Sequence, residues 1–264
     1  MSDGDNDGDG GGDEKKAVAI LGCGPSGLAA AHAAVGLGYR VDIFAPVAKK
    51  SPLLGPLLLQ RPIPGVTLTQ PDGYIKQIVL GGSILDYRYK LYGDINIAIN
   101  GDVLEDGYHA WKMEDTYDAL WLAHVDQIIE QEFTAESLAM LSARGAYELI
   151  VNTAPANRFC FGGCVFETAA VEIVQDCRHS YDNTVVFNAS KYDAWVRSSR
   201  IFGHEVTEYR VGNAPSGART IRKPIHTTCR CHPQVLRTGR FGSWRNETWV
   251  DTAYYAVRTA LVSR

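Results

Sequence analysis

Six consecutive residues, Gly22-Cys23-Gly24-Pro25-Ser26-Gly27, constrain this chain more than any other feature. They fit G-x-G-x-x-G, a pattern that carries weight only between a strand and a helix. Both neighbours are present. Ala17–Leu21 is a short apolar run ending in glycine, which reads as a buried strand. The Ala- and Leu-rich stretch from Ser26 closes at Gly36 and Gly38, a helix with its stop signal. Arg40–Phe44 reads as a second strand, completing a βαβ unit of dinucleotide-binding length. In such a unit Gly22 permits the tight turn, Gly24 lets backbone approach a pyrophosphate, and Gly27 lets helix and strand pack closely. Pro25 and Ser26 then open a helix whose N-terminus offers N–H groups and partial positive charge to phosphates. A purely structural glycine-rich turn is the plainer alternative. One part of the pattern is missing: the second strand is followed by Ala45, where an acid would hold the adenosine ribose, and Asp42 comes three residues early.

The remaining segments are read more coarsely. Residues 1–16 are acidic and glycine-rich, with no apolar residue after Met1, so they are expected to be disordered. A calcium loop is the alternative there, but the Glu and apolar positions of the helix–loop–helix motif are absent. Residues 46–65, rich in Pro and Gly, are expected to be mostly loop. Ile75–Leu80 and Ile84–Tyr92 look like two strands of a hairpin around Gly81-Gly82. Residues 114–143 carry helical spacing, with a break near Phe133 and a cap at Thr134. Strands are expected at Glu148–Asn152, Val171–Val174, Thr184–Asn188 and Glu205–Arg210, and a terminal helix at Thr252–Val262.

Charge is unevenly spread. Residues 197–264 hold twelve Lys/Arg and four Asp/Glu, although the whole chain is at −4. A basic C-terminal quarter suggests an anionic ligand: the cofactor's pyrophosphate, and beyond it a phosphorylated, nucleotide-like or nucleic-acid substrate. Arg197 and Arg200, three apart, are candidates to clamp it, against the alternative of a solvated basic face. No apolar run approaches a membrane span, and the N-terminus lacks a basic-then-apolar leader, so a cytoplasmic setting without membrane partners is expected. In that setting the six cysteines are expected to be free thiols. The run His226-Thr-Thr-Cys229-Arg-Cys231-His232 has the residue types of a metal site. It lacks C-x₂-C spacing and an evident second ligand pair, and no metal is assigned. Cys160 and Cys164 are spaced differently from a common redox pair.

Near its end the chain resembles a known family. Gly239-Arg240-x-Gly242-x-Trp244, followed by Asp251 and an Ala-rich helix, is similar to the C-terminal FAD motif of UDP-galactopyranose mutases and their amine-oxidase-like relatives. The likeness extends to Val151-Asn152-Thr153-Ala154-Pro155, to Trp195-Val196-Arg197, to Arg222-Lys223-Pro224-Ile225, and to the loop carrying Gly55 and Arg61. It implies that Gly239, Arg240, Gly242, Thr153, Pro155, Gly55 and Arg61 contact FAD, with Trp244 either on the flavin or in the core. It places Lys223 where the family has a tyrosine facing the substrate, as an acid–base group or a partner of the flavin edge. The resemblance departs from the family at Ala45, at Lys223 and in a shorter helical substrate region.

The expected fold is α/β: a two-part FAD-binding Rossmann-like domain from residues 17–75, 145–175 and 222–264, with a small α+β substrate cap from 76–144 and 176–221. The resemblance implies an FAD-dependent oxidoreductase of amine-oxidase type, taking hydride from a C–N or C–O centre of an anionic substrate. The alternatives are a non-redox flavin-dependent mutase or lyase, including a phage enzyme acting on aminoacylated thymine in modified DNA, and an FAD-binding protein without catalysis. Oligomeric state is not legible.

Overall fold

In the computed structural model, residues 16–53, 58–99 and 107–264 are described. The acidic tail up to residue 15, and Gly55, lie outside the described residues. The strands are β1 (Ala17–Leu21), β2 (Arg40–Ala45), β3 (Leu58–Leu59), β4 (Gly73–Leu80), β5 (Tyr108–Lys112), β6 (Ile128–Glu130) and β7 (Leu149–Asn152). They continue with β8 (Phe166–Val174), β9 (Thr184–Asn188), β10 (Trp195–Ile201), β11 (His204–Arg210), β12 (Arg219–Thr227) and β13 (Leu236–Arg237). The helices are α1 (Pro25–Val35), α2 (Ile84–Tyr92), α3 (Met113–His124), α4 (Ala135–Ala143), α5 (Gly239–Ser243) and α6 (Val250–Val262).

Two sheets organise the molecule. The first is five-stranded and parallel, in the order β13-β7-β1-β2-β6. Its central strand is apolar at every position because both faces are covered. Val18 and Ile20 face a core shared with the alanine face of α1, Met113, Tyr117 and Leu120 of α3, and Ala253, Val257 and Leu261 of α6. Ala19 and Leu21 face a second core with Leu138 of α4, Ile150 and Phe159. The alternation follows from the two-residue period of a strand.

The second sheet has eight strands in the order β12-β8-β11-β10-β9-β4-β5-β3. Its strands pair antiparallel, except for the parallel β4–β9 pair. Val185, Phe187, Val196 and Ile201 on one face pack with Tyr87 of α2. The fold is thus α/β, as expected, with the parallel sheet carrying the βαβ unit and a curled, mostly antiparallel sheet beside it.

Several local expectations hold. The three elements of the βαβ unit, the strand at Thr184–Asn188 and the terminal helix are present. Thr134 caps α4 by accepting a hydrogen bond from the Ser137 amide. Others are corrected. Ile84–Tyr92 is a helix and not the second arm of a hairpin, because Ser83 and Asp86 form a capping box that satisfies the first free amides. Ile128–Glu130, read as helical, is a short strand added beside β2. Trp195–Ile201 and Arg219–Thr227, not singled out as strands, are both in the eight-stranded sheet. Pro224 hid the second of these, and the sheet accommodates it at a register shift on an edge strand. The sheets do not follow the expected division of the chain: β6 joins the parallel sheet, whereas β8 and β12 join the other.

Candidate functional site

The C-terminal end of β1 feeds the glycine loop, and the three glycines have three different surroundings. Gly22 has φ +104°, a conformation that L side chains rarely adopt, and its amide donates to the Phe44 carbonyl at 2.8 Å. A Cβ on Gly27 would lie 1.8 Å from the Gly22 carbonyl oxygen, so only glycine allows α1 to approach the loop. A Cβ on Gly24 would meet no atom of the described residues within 4 Å. The middle glycine therefore faces open space, where the sequence pattern places a pyrophosphate. Thr153, at the end of β7, ties the neighbouring strand to this loop: its hydroxyl donates to the Leu21 carbonyl at 2.9 Å.

That open space is the near end of a cavity of about 790 Å³. Gly22, Gly24, Pro25, Ser26 and Gly27 line it, with Thr153 and Pro155 beside them. Lys49 and Lys50, following β2, line the flank next to Ala45. The second sheet forms the far wall, and from it three charged side chains converge. Arg197 on β10 and Lys223 on β12 both contact Glu208 on β11, Arg197 Nη2 at 2.7 Å from Oε1 and Lys223 Nζ at 2.5 Å from Oε2. Arg240 on α5 completes the group. Three cations thus surround one carboxylate in a largely buried cluster.

Burial opposes the charged form of every member of this group. It drives Lys223 down to about 8, against the opposing pull of Glu208. Burial also works against the Glu208 charge, but Arg197 and Lys223 hold its carboxyl below the ordinary value. For Arg197 the burial penalty is outweighed by Glu208 and nearby tyrosines, and its pKa is raised. Arg240 is lowered, by burial and then by the Arg197 charge. The Nε of Arg197 is buried and makes no hydrogen bond among the described residues.

Not every anticipated residue reaches the cavity. Arg200 shares β10 with Arg197 but lies three positions on, which in a strand is the opposite face. Its guanidinium pairs with Glu205 at 2.6 Å, so the two arginines do not form a clamp. Arg61 pairs with buried Asp251 at 3.0 Å and stacks on Tyr255, fastening its loop to α6. Trp244 is core: its indole N–H donates to the Glu167 carbonyl at 2.9 Å and its ring packs edge-on against Phe166. Gly239 and Gly242 serve close packing, since a Cβ there would lie 2.7 Å from the Ser26 side chain and 2.1 Å from the Asn152 carbonyl oxygen. They bring α5, and hence Arg240, against the glycine loop.

Glu208 and Lys49 were missed. Glu208 left a signal, because it follows Val206 on the inward face of an alternating strand. Lys49 left none, since a lysine after a strand is ordinary in a loop.

No protein-family model matches the chain, and no curated protein matches it. Solved structures do. A reduced UDP-galactopyranose mutase aligns with a TM-score of 0.55 at 11% identity, over 95% of this chain and 96% of that one. The tetrameric form of 2-methyl-3-hydroxypyridine-5-carboxylic acid oxygenase aligns at 0.53 and 11%, over 94% and 81%. A flavoprotein/dehydrogenase from Cytophaga hutchinsonii aligns at 0.51 and 14%, over 94% and 76%. The chain has the Rossmann-like fold of these flavoproteins. At such identities the likeness concerns the fold, and function must be argued from the site. No helix among the described residues is long and apolar enough to cross a membrane.

Proposed function

We propose that the chain binds FAD and is a flavin-dependent enzyme, an oxidoreductase of amine-oxidase type acting on an anionic small-molecule or nucleotide-like substrate. One observation carries this reading: Gly24 faces a cavity that Arg197, Glu208, Lys223 and Arg240 also line. The cavity volume lies in the range of about 300–1,000 Å³ usual for ligand sites. Gly22 to Gly27 would hold the pyrophosphate on the loop and the α1 N-terminus, which no side chain among the described residues caps. When bound, the flavin would supply hydride acceptance from a C–N or C–O centre. The chain's own part is binding, orientation and charge. Arg197 and Arg240, which both line the cavity, would fix anionic groups by charge-assisted hydrogen bonds. Lys223, poised near neutrality, would hold or release a proton at Nζ.

The test begins with the cofactor. Purified protein should be yellow, and its denatured supernatant should contain FAD. Gly24→Val should stay folded by circular dichroism and lose the flavin, because the added Cβ points into the cavity and meets no described residue within 4 Å. Retention of FAD by Gly24→Val, or an FAD-free protein after reconstitution, overturns the cofactor assignment. Anaerobic addition of anionic amines and alcohols then tests the redox assignment. Bleaching of the flavin supports it, and substrate turnover without bleaching supports mutase or lyase chemistry instead.

A further inference from the structure

We infer that Cys160, Cys164, Cys229 and Cys231 form a structural zinc site, separate from the cavity. Neither pair is persuasive alone. The fold brings them together: all four Sγ atoms lie within 4.8 Å of one another, and Cys160 and Cys231 are 4.0 Å apart. Zinc–sulfur bonds of about 2.3 Å in a tetrahedron require sulfurs about 3.8 Å apart, so a small contraction closes the site. The four cysteines are free thiols, partly or fully buried.

The local chain is built for the arrangement. Cys160 and Cys164 flank Gly162 and Gly163, both at positive φ, which reverses the backbone so that the two side chains converge. The facing pair is held close by hydrogen bonds between the loops: the Thr228 amide donates to the Val165 carbonyl at 3.2 Å, and the Val165 amide to the Thr228 hydroxyl at 3.0 Å. Groups that would orient and neutralise four thiolates are in place. The Gly162 amide donates to Cys160 Sγ at 3.4 Å, and Arg237 Nη2 to Cys229 Sγ at 3.5 Å. Arg237 also donates to the Cys229 carbonyl at 3.0 Å. The histidines of the sequence run are not part of the set, because His232 is engaged with the Phe159 carbonyl at 3.0 Å and His226 is exposed. Four cysteine ligands fill a tetrahedron and leave no open position, which makes the site structural and not catalytic. Zinc is redox-inert, so it would not exchange electrons with a flavin.

The position explains what the metal would do. Cys160 lies five residues beyond Pro155, which lines the cavity, and Cys231 precedes β13 and then α5, which carries Arg240. Zinc would tie together the two chain segments that frame the candidate flavin site from one side.

The experiment is metal analysis of full-length protein made without a metal-binding tag in zinc-supplemented medium. Plasma mass spectrometry should find one zinc per chain. Zinc-edge X-ray absorption should show four sulfur neighbours at about 2.3 Å. Cys160→Ser combined with Cys231→Ser should remove the zinc, and Cys177→Ser should keep it. If the double variant does not fold, the wild-type zinc content and edge spectrum decide alone. A metal-free wild type with titratable thiols, a disulfide among these cysteines by peptide mapping, iron in place of zinc, or nitrogen and oxygen neighbours at the edge would each overturn the assignment. The readout does not depend on flavin or activity.

Discussion

At the residue scale, the buried cluster around Glu208 sets the chemistry. Lys223 carries a pKa of about 8 in the folded protein, against an ordinary 10.5. As pH rises through about 8 the cluster loses one positive charge, so anion affinity should fall there. Titrating inorganic phosphate into the flavin-loaded protein, followed by flavin fluorescence, should show this inflection. Lys223→Arg should abolish it, because a guanidinium stays charged. Glu208→Gln should move it to lower pH, because Glu208 is what holds the ammonium charged. An inflection unchanged in both variants would assign it to another group. The sign for stability follows from the same depression. Between about 8 and 10.5 the unfolded chain carries this proton and the folded one does not, so the Lys223 contribution to stability rises with pH across that window.

At the scale of elements, the helix at Ile84–Tyr92 depends on its first turn. The Ser83 hydroxyl accepts from the Asp86 amide, and the Asp86 carboxylate accepts from the Ser83 amide at 2.7 Å. Lys90, near the other end, donates to the carbonyls of Asn188, Ser190 and Trp195 and so docks the helix on the ends of β9 and β10. Ser83→Ala should lower stability by about 1 kcal/mol. Because buried Tyr87 of this helix lines the cavity, the same variant should also weaken phosphate binding modestly, by no more than a few-fold. Thermal melts and the fluorescence titration check the two parts. A melting temperature equal to that of the parent would show that packing of Tyr87 and Lys90 holds the helix without its cap.

For the whole molecule, the fold sorts the charge of the C-terminal quarter into two populations. Arg197, Lys223 and Arg240 face the cavity, whereas Arg210, Arg219, Arg222 and Arg230 are exposed. Buried charges are screened little by salt, and exposed ones strongly. A small anion held in the cavity should therefore show a salt dependence well below the log–log slope of about −0.9 per phosphate contact seen with duplex DNA. Arg197→Ala should weaken it, and Arg200→Ala or Arg222→Ala should leave it unchanged. Binding measured at 50 and 200 mM salt with a nucleotide-sugar and with single- and double-stranded DNA separates the cases. A steep slope lost on Arg222→Ala would move the substrate site to the exposed face.

The local pattern was enough for the first βαβ unit, since glycines at 22, 24 and 27 between an apolar strand and an alanine helix leave few other conformations. Thr134 and the terminal helix were legible for the same reason: caps and helical periodicity are properties of neighbouring residues. What could not be read is everything set by distant partners. Whether Arg197 and Arg200 share a face depends on their belonging to a strand, and that strand is defined by pairing with β9 and β11. Gly239 and Gly242 look like ligand contacts in sequence and Trp244 could be either contact or core, yet all three pack where α5 lies against β7 and the start of α1. Glu208 gains its role only when β10 and β12 bring a guanidinium and an ammonium to it. The four cysteines, separated by up to seventy-one residues, meet only because β8 and β12 pair along their length. Short-range order follows from the chain itself, whereas a cluster of charges or thiols needs the long-range pairing that only the folded sheets supply.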